Sequence, residues 1–414
     1  MWIEHYNKET KTLTIPYNFN EELKDIPEET EIIIFSQNIY QFTYSKFNQP
    51  VDNLPESLTH LTFGNNFNQP VDNLPEKLTH LTLCYKFNQP VDNLPKYLTH
   101  LTFGYDFNQS VDKLPKSLTH LTLDYNFNQP VDNLPESLTH LTFGVCFNQR
   151  VDNLPQNITH LTLGYYFNQY VYNLPKNITH LIWHNYNQPV DNLPKNLTHL
   201  TFGEYFNKSV DNLPKNLIHL TFGDCFDRPV DNLPENLIHI SFGQGFNQPV
   251  DNLPKNLTHL SFGDCFNRPV VNLPKTLTHL TFGWNFNQPI DNLPETLTYL
   301  SFSYTSNFFK NVSNLPKNIC ILKLYFLNKI IIPKNVKELY ICSHNILINN
   351  LPEHIEKLFI FFEEDEYDEY DEEDENIKID NLPPFLKEII IEKEHYKKYI
   401  KIPFDTVVTI KKFK

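Results

Sequence analysis

A solenoid of stacked coils, with one parallel β-strand per 20-residue coil and little helix, is the fold class this 414-residue chain predicts. Three observations carry it. The block FNQPVDNLPEKLTHLTLCYK, opening at Phe67, begins again at Phe87 with its Phe, Leu-Pro and Leu-x-x-Leu-x-Phe/Leu in register. Thirteen such blocks open at Phe47, Phe67, Phe87, Phe107, Phe127, Phe147, Phe167, Tyr186, Phe206, Phe226, Phe246, Phe266 and Phe286, and only the step from Phe167 to Tyr186 is 19 residues. Within each block the apolar residues alternate as in a half-buried strand. A stack of this kind has no upper size limit, because each coil touches only its neighbours, so the whole chain reads as one long domain.

Residues 1–46 are an atypical opening. Thr12–Ile15 and 31–35 look like strands, with Phe19, Ile26-Pro27, Ile33 and Phe35 at repeat-like positions, and the segment is expected to be a degenerate coil that caps the apolar end of the stack.

Residues 47–303 are the thirteen units. Leu58, Leu61 and Phe63 mark the first strand; side chains alternate across it, so Leu61 and Phe63 face the core while His60 and Thr62 face out. Leu54-Pro55 sets the approach, since Pro fixes φ and lacks a donor. Gly64 allows a tight exit, although Cys84 and Asp124 hold the same place elsewhere, so a positive φ is not required there. Phe67 turns inward as a second row, and Asn68 is placed to bond the backbone of adjacent coils. Two prolines per coil leave the return segment extended or turn-like.

Residues 304–414 fray without stopping. Leu315-Pro316, Ile332-Pro333, Leu351-Pro352 and Leu382-Pro383 each precede an apolar strand: Ile319/Leu322/Leu324, Val336/Leu339/Ile341, Ile355/Leu358/Ile360 and Leu386/Ile389/Ile391. The long step between Pro352 and Pro383 contains EEDEYDEYDEEDEN at 363–376, expected to be a disordered acidic loop. Val407–Ile410 is a plausible last strand and cap.

The formal charge of −15 argues against nucleic acid, whose phosphates demand clustered Lys and Arg. Eleven acids lie in 363–375, leaving about −4 elsewhere and no strong long-range field. The six cysteines (Cys84, Cys146, Cys225, Cys265, Cys320 and Cys342) form no CxxC pair and read as occupants of variable positions in a reducing compartment. Residues 1–20 carry charges throughout, so neither a signal peptide nor a membrane span is visible. The cytoplasm is the expected location.

The phrase FNQPVDNLP…LTHLTFG closely resembles the FNIP repeat, a leucine-rich-repeat relative found in social amoebae and in giant viruses that infect amoebae. The resemblance implies a leucine-rich-repeat-like fold and a role in protein–protein interaction, in the host cytoplasm if the chain is viral. Some relatives place an F-box before the repeats and are proposed to recruit targets to ubiquitin ligases; here 46 residues precede the array and read as strands, so no F-box is visible.

Twelve histidines recur at one place: His60, His80, His100, His120, His140, His160, His180, His199, His219, His239, His259 and His279, ended by Tyr299. With strands in register these rings form an exposed ladder on the concave face, about 4.8 Å apart. One reading is a surface that binds Zn²⁺ or Ni²⁺. The other is a structural ladder of flat rings bonded to Thr or Asn across coils. In either case, crowded like charges lower the imidazole pKa values, so stability is lost as pH falls. The Thr62 row, mostly Thr with Ser241, Ser261 and Ser301, suits a lattice-binding face or is simply good exposed strand chemistry.

Variation concentrates in the two residues before each unit's opening aromatic. Tyr85, Tyr105, Tyr125, Tyr165, Tyr166, Tyr205 and Trp284 stand there, and interfaces favour such amphipathic anchors. The recurring polar residues are copies of one another, whereas a catalytic site is one asymmetric cluster, and no phosphate loop, dinucleotide fingerprint or HExxH is present. The expected function is therefore a non-enzymatic scaffold that engages a protein through its rim and concave face, with no cofactor, nucleic acid or membrane. The alternatives are a metal- or surface-binding structural protein using the His/Thr face, or a ubiquitin-ligase adaptor.

Overall fold

A computed structural model describes residues 5–36, 44–303, 315–324, 332–342, 351–361, 382–391 and 406–410. The acidic segment 363–376 lies outside them. The chain forms two compact units: Met1–Lys208 with Asn212–Leu217, and Ser209–Asp211 with Ile218–Lys414. No helix occurs among the described residues.

In the first unit the short strand Tyr6–Asn7 pairs antiparallel with Thr12–Ile15, and every later pairing is parallel. Thr12–Ile15 lies beside Ile32–Phe35, which lies beside His60–Thr62, so the opening segment supplies two rungs of the same sheet. From there the register repeats: His60 opposes His80, Leu61 opposes Leu81 and Thr62 opposes Thr82, and so on to His180 opposite His199. That last 19-residue step keeps the strand in register because the missing residue falls in the turn; a deletion inside the strand would reverse its faces.

Each coil is closed by two tight turns. The Pro55 carbonyl accepts the Leu58 N–H at 3.0 Å just before the strand, and the Gly64 carbonyl accepts the Phe67 N–H at 3.2 Å just after it. Between them Val51, Leu54, Leu58, Leu61, Phe63 and Phe67 point inward and are buried. Phe63 stacks on Phe67 with ring centres 3.7 Å apart, and Phe67 meets Phe87 of the next coil at 6.1 Å. Outside the sheet, Asn48 Oδ1 accepts the Asn68 backbone N–H, Asn68 Oδ1 accepts that of Asn88, and Asp52 Oδ1 accepts from Asn73 Nδ2. These ladders satisfy polar groups that the proline-containing return segment leaves outside the sheet.

The glycine after the strand is explained by proximity. No described glycine has positive φ. A Cβ added to Gly164 would lie 1.6 Å from the Gly144 carbonyl oxygen of the preceding coil. Glycine therefore lets neighbouring turns approach, beyond the tight exit expected from sequence.

The second unit continues in parallel register through Tyr299–Phe302, Ile321–Leu324, Glu338–Cys342, Lys357–Phe361, Glu388–Ile391 and Val407–Ile410. Its irregular coils bury the residues expected, among them Ile319, Leu322, Val336, Leu339, Ile355, Leu358, Leu386 and Ile389. Pairing survives unequal coil lengths, since Lys357 opposes Glu388 across 31 positions.

Candidate functional site

On the outward face of the first unit lie three parallel rows: the imidazoles, the Thr62-type hydroxyls and, at the rim, the variable residues before each opening aromatic. The imidazoles from His60 to His199 stack with ring centres 4.1–4.2 Å apart. In the second unit His219, His239, His259 and His279 stack at 4.1–4.3 Å, and Tyr299 follows at 5.4 Å. The rings are half-buried, where sequence reasoning expected an exposed ladder. Burial is the main cause that lowers the pKa values of His80, His100, His120 and His160, with charge on neighbouring imidazoles adding to it; His80 is pushed down to about 4.

Successive rings are nearly parallel, at 10–13° in the first unit, so their outward nitrogens also point in parallel and do not converge on one ion. Tetrahedral Zn²⁺ needs converging donors at about 2.0–2.1 Å. Among the described residues no group of three or more His, Cys, Asp or Glu is placed to hold a metal.

The rim of the first unit carries the tyrosines singled out above. Tyr85, Tyr105 and Tyr125 stack with ring centres 4.6 and 4.2 Å apart, and Tyr85 is 45% exposed. Because the rings cover one another's faces, they present edges and hydroxyls to solvent. Burial and a hydrogen bond with Tyr125 raise the Tyr105 phenol pKa. Farther along, Tyr165 meets Tyr166 edge-on at 5.4 Å and Tyr205 at 6.4 Å. In the second unit Trp284 is exposed, with its backbone N–H donated to Asp264 Oδ1.

Sequence reasoning missed two features. Tyr170 and Tyr172, 53% and 66% exposed, stack at 5.8 Å where most coils have Pro and Asp. Below them Tyr186 replaces the repeat Phe, and its hydroxyl lies 3.5 Å from the Pro189 carbonyl. Val171 in the same coil is only half-buried, while Val151 and Val190 are buried. The signal was available, since the coil opening at Phe167 has lost both Pro and Asp and the next coil opens with Tyr186 in place of Phe.

The second missed feature is a checkerboard of charge in the last coils of the second unit. Glu356 lies 2.9 Å from Lys337 and 2.6 Å from Lys387, while on the next row Lys357 lies 3.5 Å from Glu338 and 3.8 Å from Glu388. The Lys-Glu, Glu-Lys and Lys-Glu pairs at 337–338, 356–357 and 387–388 spell this alternation. It stands in register with the positions that Thr and His occupy earlier.

The FNIP repeat matches ten segments that together run from residue 47 to residue 305. The chain belongs to the FNIP-repeat family. Among solved structures, the circular leucine-rich-repeat protein CroV588 of a giant virus is 37% identical over 90% of this chain, with a TM-score of 0.71. This chain spans 61% of that protein's length. YopM from Yersinia enterocolitica aligns over 99% of this chain and 93% of its own at 17% identity, with a TM-score of 0.49. No functionally curated protein matches. This FNIP-repeat chain is thus a repeat scaffold of leucine-rich-repeat type.

Proposed function

We propose that the chain is a non-enzymatic scaffold that binds a protein partner along the rim and strand face of its first unit. The carrying observation is the contrast between rows. The imidazole and hydroxyl rows hardly vary and offer a partner no address, whereas the rim stacks Tyr85, Tyr105 and Tyr125 beside positions that differ from coil to coil. Tyrosine supplies large contact area with few rotatable bonds and a polar tip, the composition of interface hot spots. Proteins of leucine-rich-repeat type commonly mediate protein interactions, which supports the same reading.

Affinity capture with the full chain from its native cell tests this. Replacing Tyr85, Tyr105 and Tyr125 by Ser should release a stoichiometric protein partner, while replacing Thr102 and Thr122 by Val should retain it. Capture that is indifferent to the tyrosines but lost with the threonines would overturn the rim assignment.

A further inference from the structure

Beneath the imidazole row each ring rests on the threonine that precedes it. Thr79 Oγ1 lies 3.1 Å from the Thr59 carbonyl of the preceding coil and 2.9 Å from His80 Nδ1. That carbonyl already accepts the backbone N–H of Thr79 at 2.9 Å and of His80 at 3.0 Å, so both its lone pairs are engaged, and the hydroxyl's shortest partner is Nδ1. The same pair recurs at all eight rungs of the first unit, from Thr59–His60 to Thr198–His199, with Oγ1 3.0–3.2 Å from the carbonyl and 2.8–2.9 Å from Nδ1. Each ring is therefore anchored to its threonine through Nδ1.

We propose that this threonine–histidine row is a proton-binding site that acts as a lock on the first unit: neutral rings seal the stack, and proton uptake opens it. Rings 4.1–4.2 Å apart cannot readily all carry charge, so a first proton suppresses uptake on both neighbours and protonation begins on alternate rungs. Nothing on the adjoining strands offsets the charge. Each of these strands has His as its sole titratable residue, the flanking rows are threonine apart from Ile182, and Ile32–Phe35 beside His60 has none. The nearest carboxylate before that end, Glu31, is paired with Lys11. Lowered imidazole pKa values support the same direction: a folded-state value below the unfolded 6.5 means stability is present above 6.5 and lost as pH falls toward 4, the value at His80. The row would thus couple the integrity of the first unit, and the binding face it carries, to acidification.

The test uses the full chain. Imidazole ¹⁵N spectra recorded from pH 7.5 downward should show His80, His100, His120 and His160 titrating below 6.5 and spread over several pH units. Replacing His80, His120 and His160 by Asn should flatten the fall in melting temperature between pH 7.5 and 5. Should that variant fail to fold, the wild-type spectra still decide. A single common titration near 6.5, or an equal fall in both proteins, would overturn the lock.

Discussion

Replacing Phe127 by Ala separates the interior rows from the rim within one coil. Phe127 is fully buried, with ring centres of Phe107 and Phe147 at 6.1 Å and Phe143 at 6.4 Å. A phenyl side chain buries about 150–250 Å², and at about 25 cal/mol per Å² its removal forfeits roughly 4–6 kcal/mol as an upper bound. Large-to-small core series place Phe to Ala at about 3–5 kcal/mol, so about 4 kcal/mol is expected here. Tyr125, two residues earlier, is half-buried and stacked on Tyr105 at 4.2 Å, and its change to Ala should cost about 1 kcal/mol. Urea unfolding followed by far-ultraviolet circular dichroism and by fluorescence of Trp183, buried in the same unit, reads both. A cost for Phe127→Ala under about 1 kcal/mol, or equal costs for the two variants, would place interior and rim on the wrong sides.

Three further outcomes are expected. Gly164→Ala should destabilise by about 1–3 kcal/mol through collision with the Gly144 carbonyl, read as a lower urea midpoint; a neutral result would remove the close-approach explanation. Tyr186→Phe should change stability by less than about 1 kcal/mol, since the hydroxyl's 3.5 Å contact with the Pro189 carbonyl and its hydrogen bond with the Val171 backbone are each modest; a loss above about 2 kcal/mol by thermal melt would contradict this. Hydrogen bonds from Lys387 and Lys337 hold the Glu356 carboxyl down to about 2, so its contribution is present above the unfolded value near 4.3 and lost as pH falls toward 2; Glu356→Lys should speed hydrogen exchange in Lys357–Phe361 and Glu388–Ile391 at neutral pH, and unchanged exchange would count against the checkerboard.

The repeat was legible because coils pack only on their neighbours: wherever Leu61, Phe63 and Phe67 recur, the same contacts recur. The degenerate strands at Leu322, Leu339, Leu358 and Ile389 were legible for the same reason, each following Leu-Pro or Ile-Pro at a fixed offset. The half-burial of the imidazoles was not, since period-two alternation assigns a side chain to a face without saying how deeply its stacked neighbours cover it. Nor was the reason for the glycines, which lies in the approach of a backbone 20 residues away. At the rim the candidate tyrosines stood out as variation against a constant background. Tyr170 and Tyr172 escaped notice because they sit in the return segment, outside the variable pair before each opening aromatic.

In-register stacking of the coils is the central claim, and a pair of engineered cysteines tests it most directly. In a background freed of native cysteines, Thr102→Cys with Thr122→Cys joins directly opposed positions, whose Cα atoms lie about 4.8 Å apart on neighbouring strands, inside the range a disulfide spans. His100→Cys with Thr122→Cys is displaced by two residues, about 8 Å, outside that range. Mild oxidation should close the first pair and leave the second reduced. Closure of the displaced pair in preference to the opposed one would contradict the register.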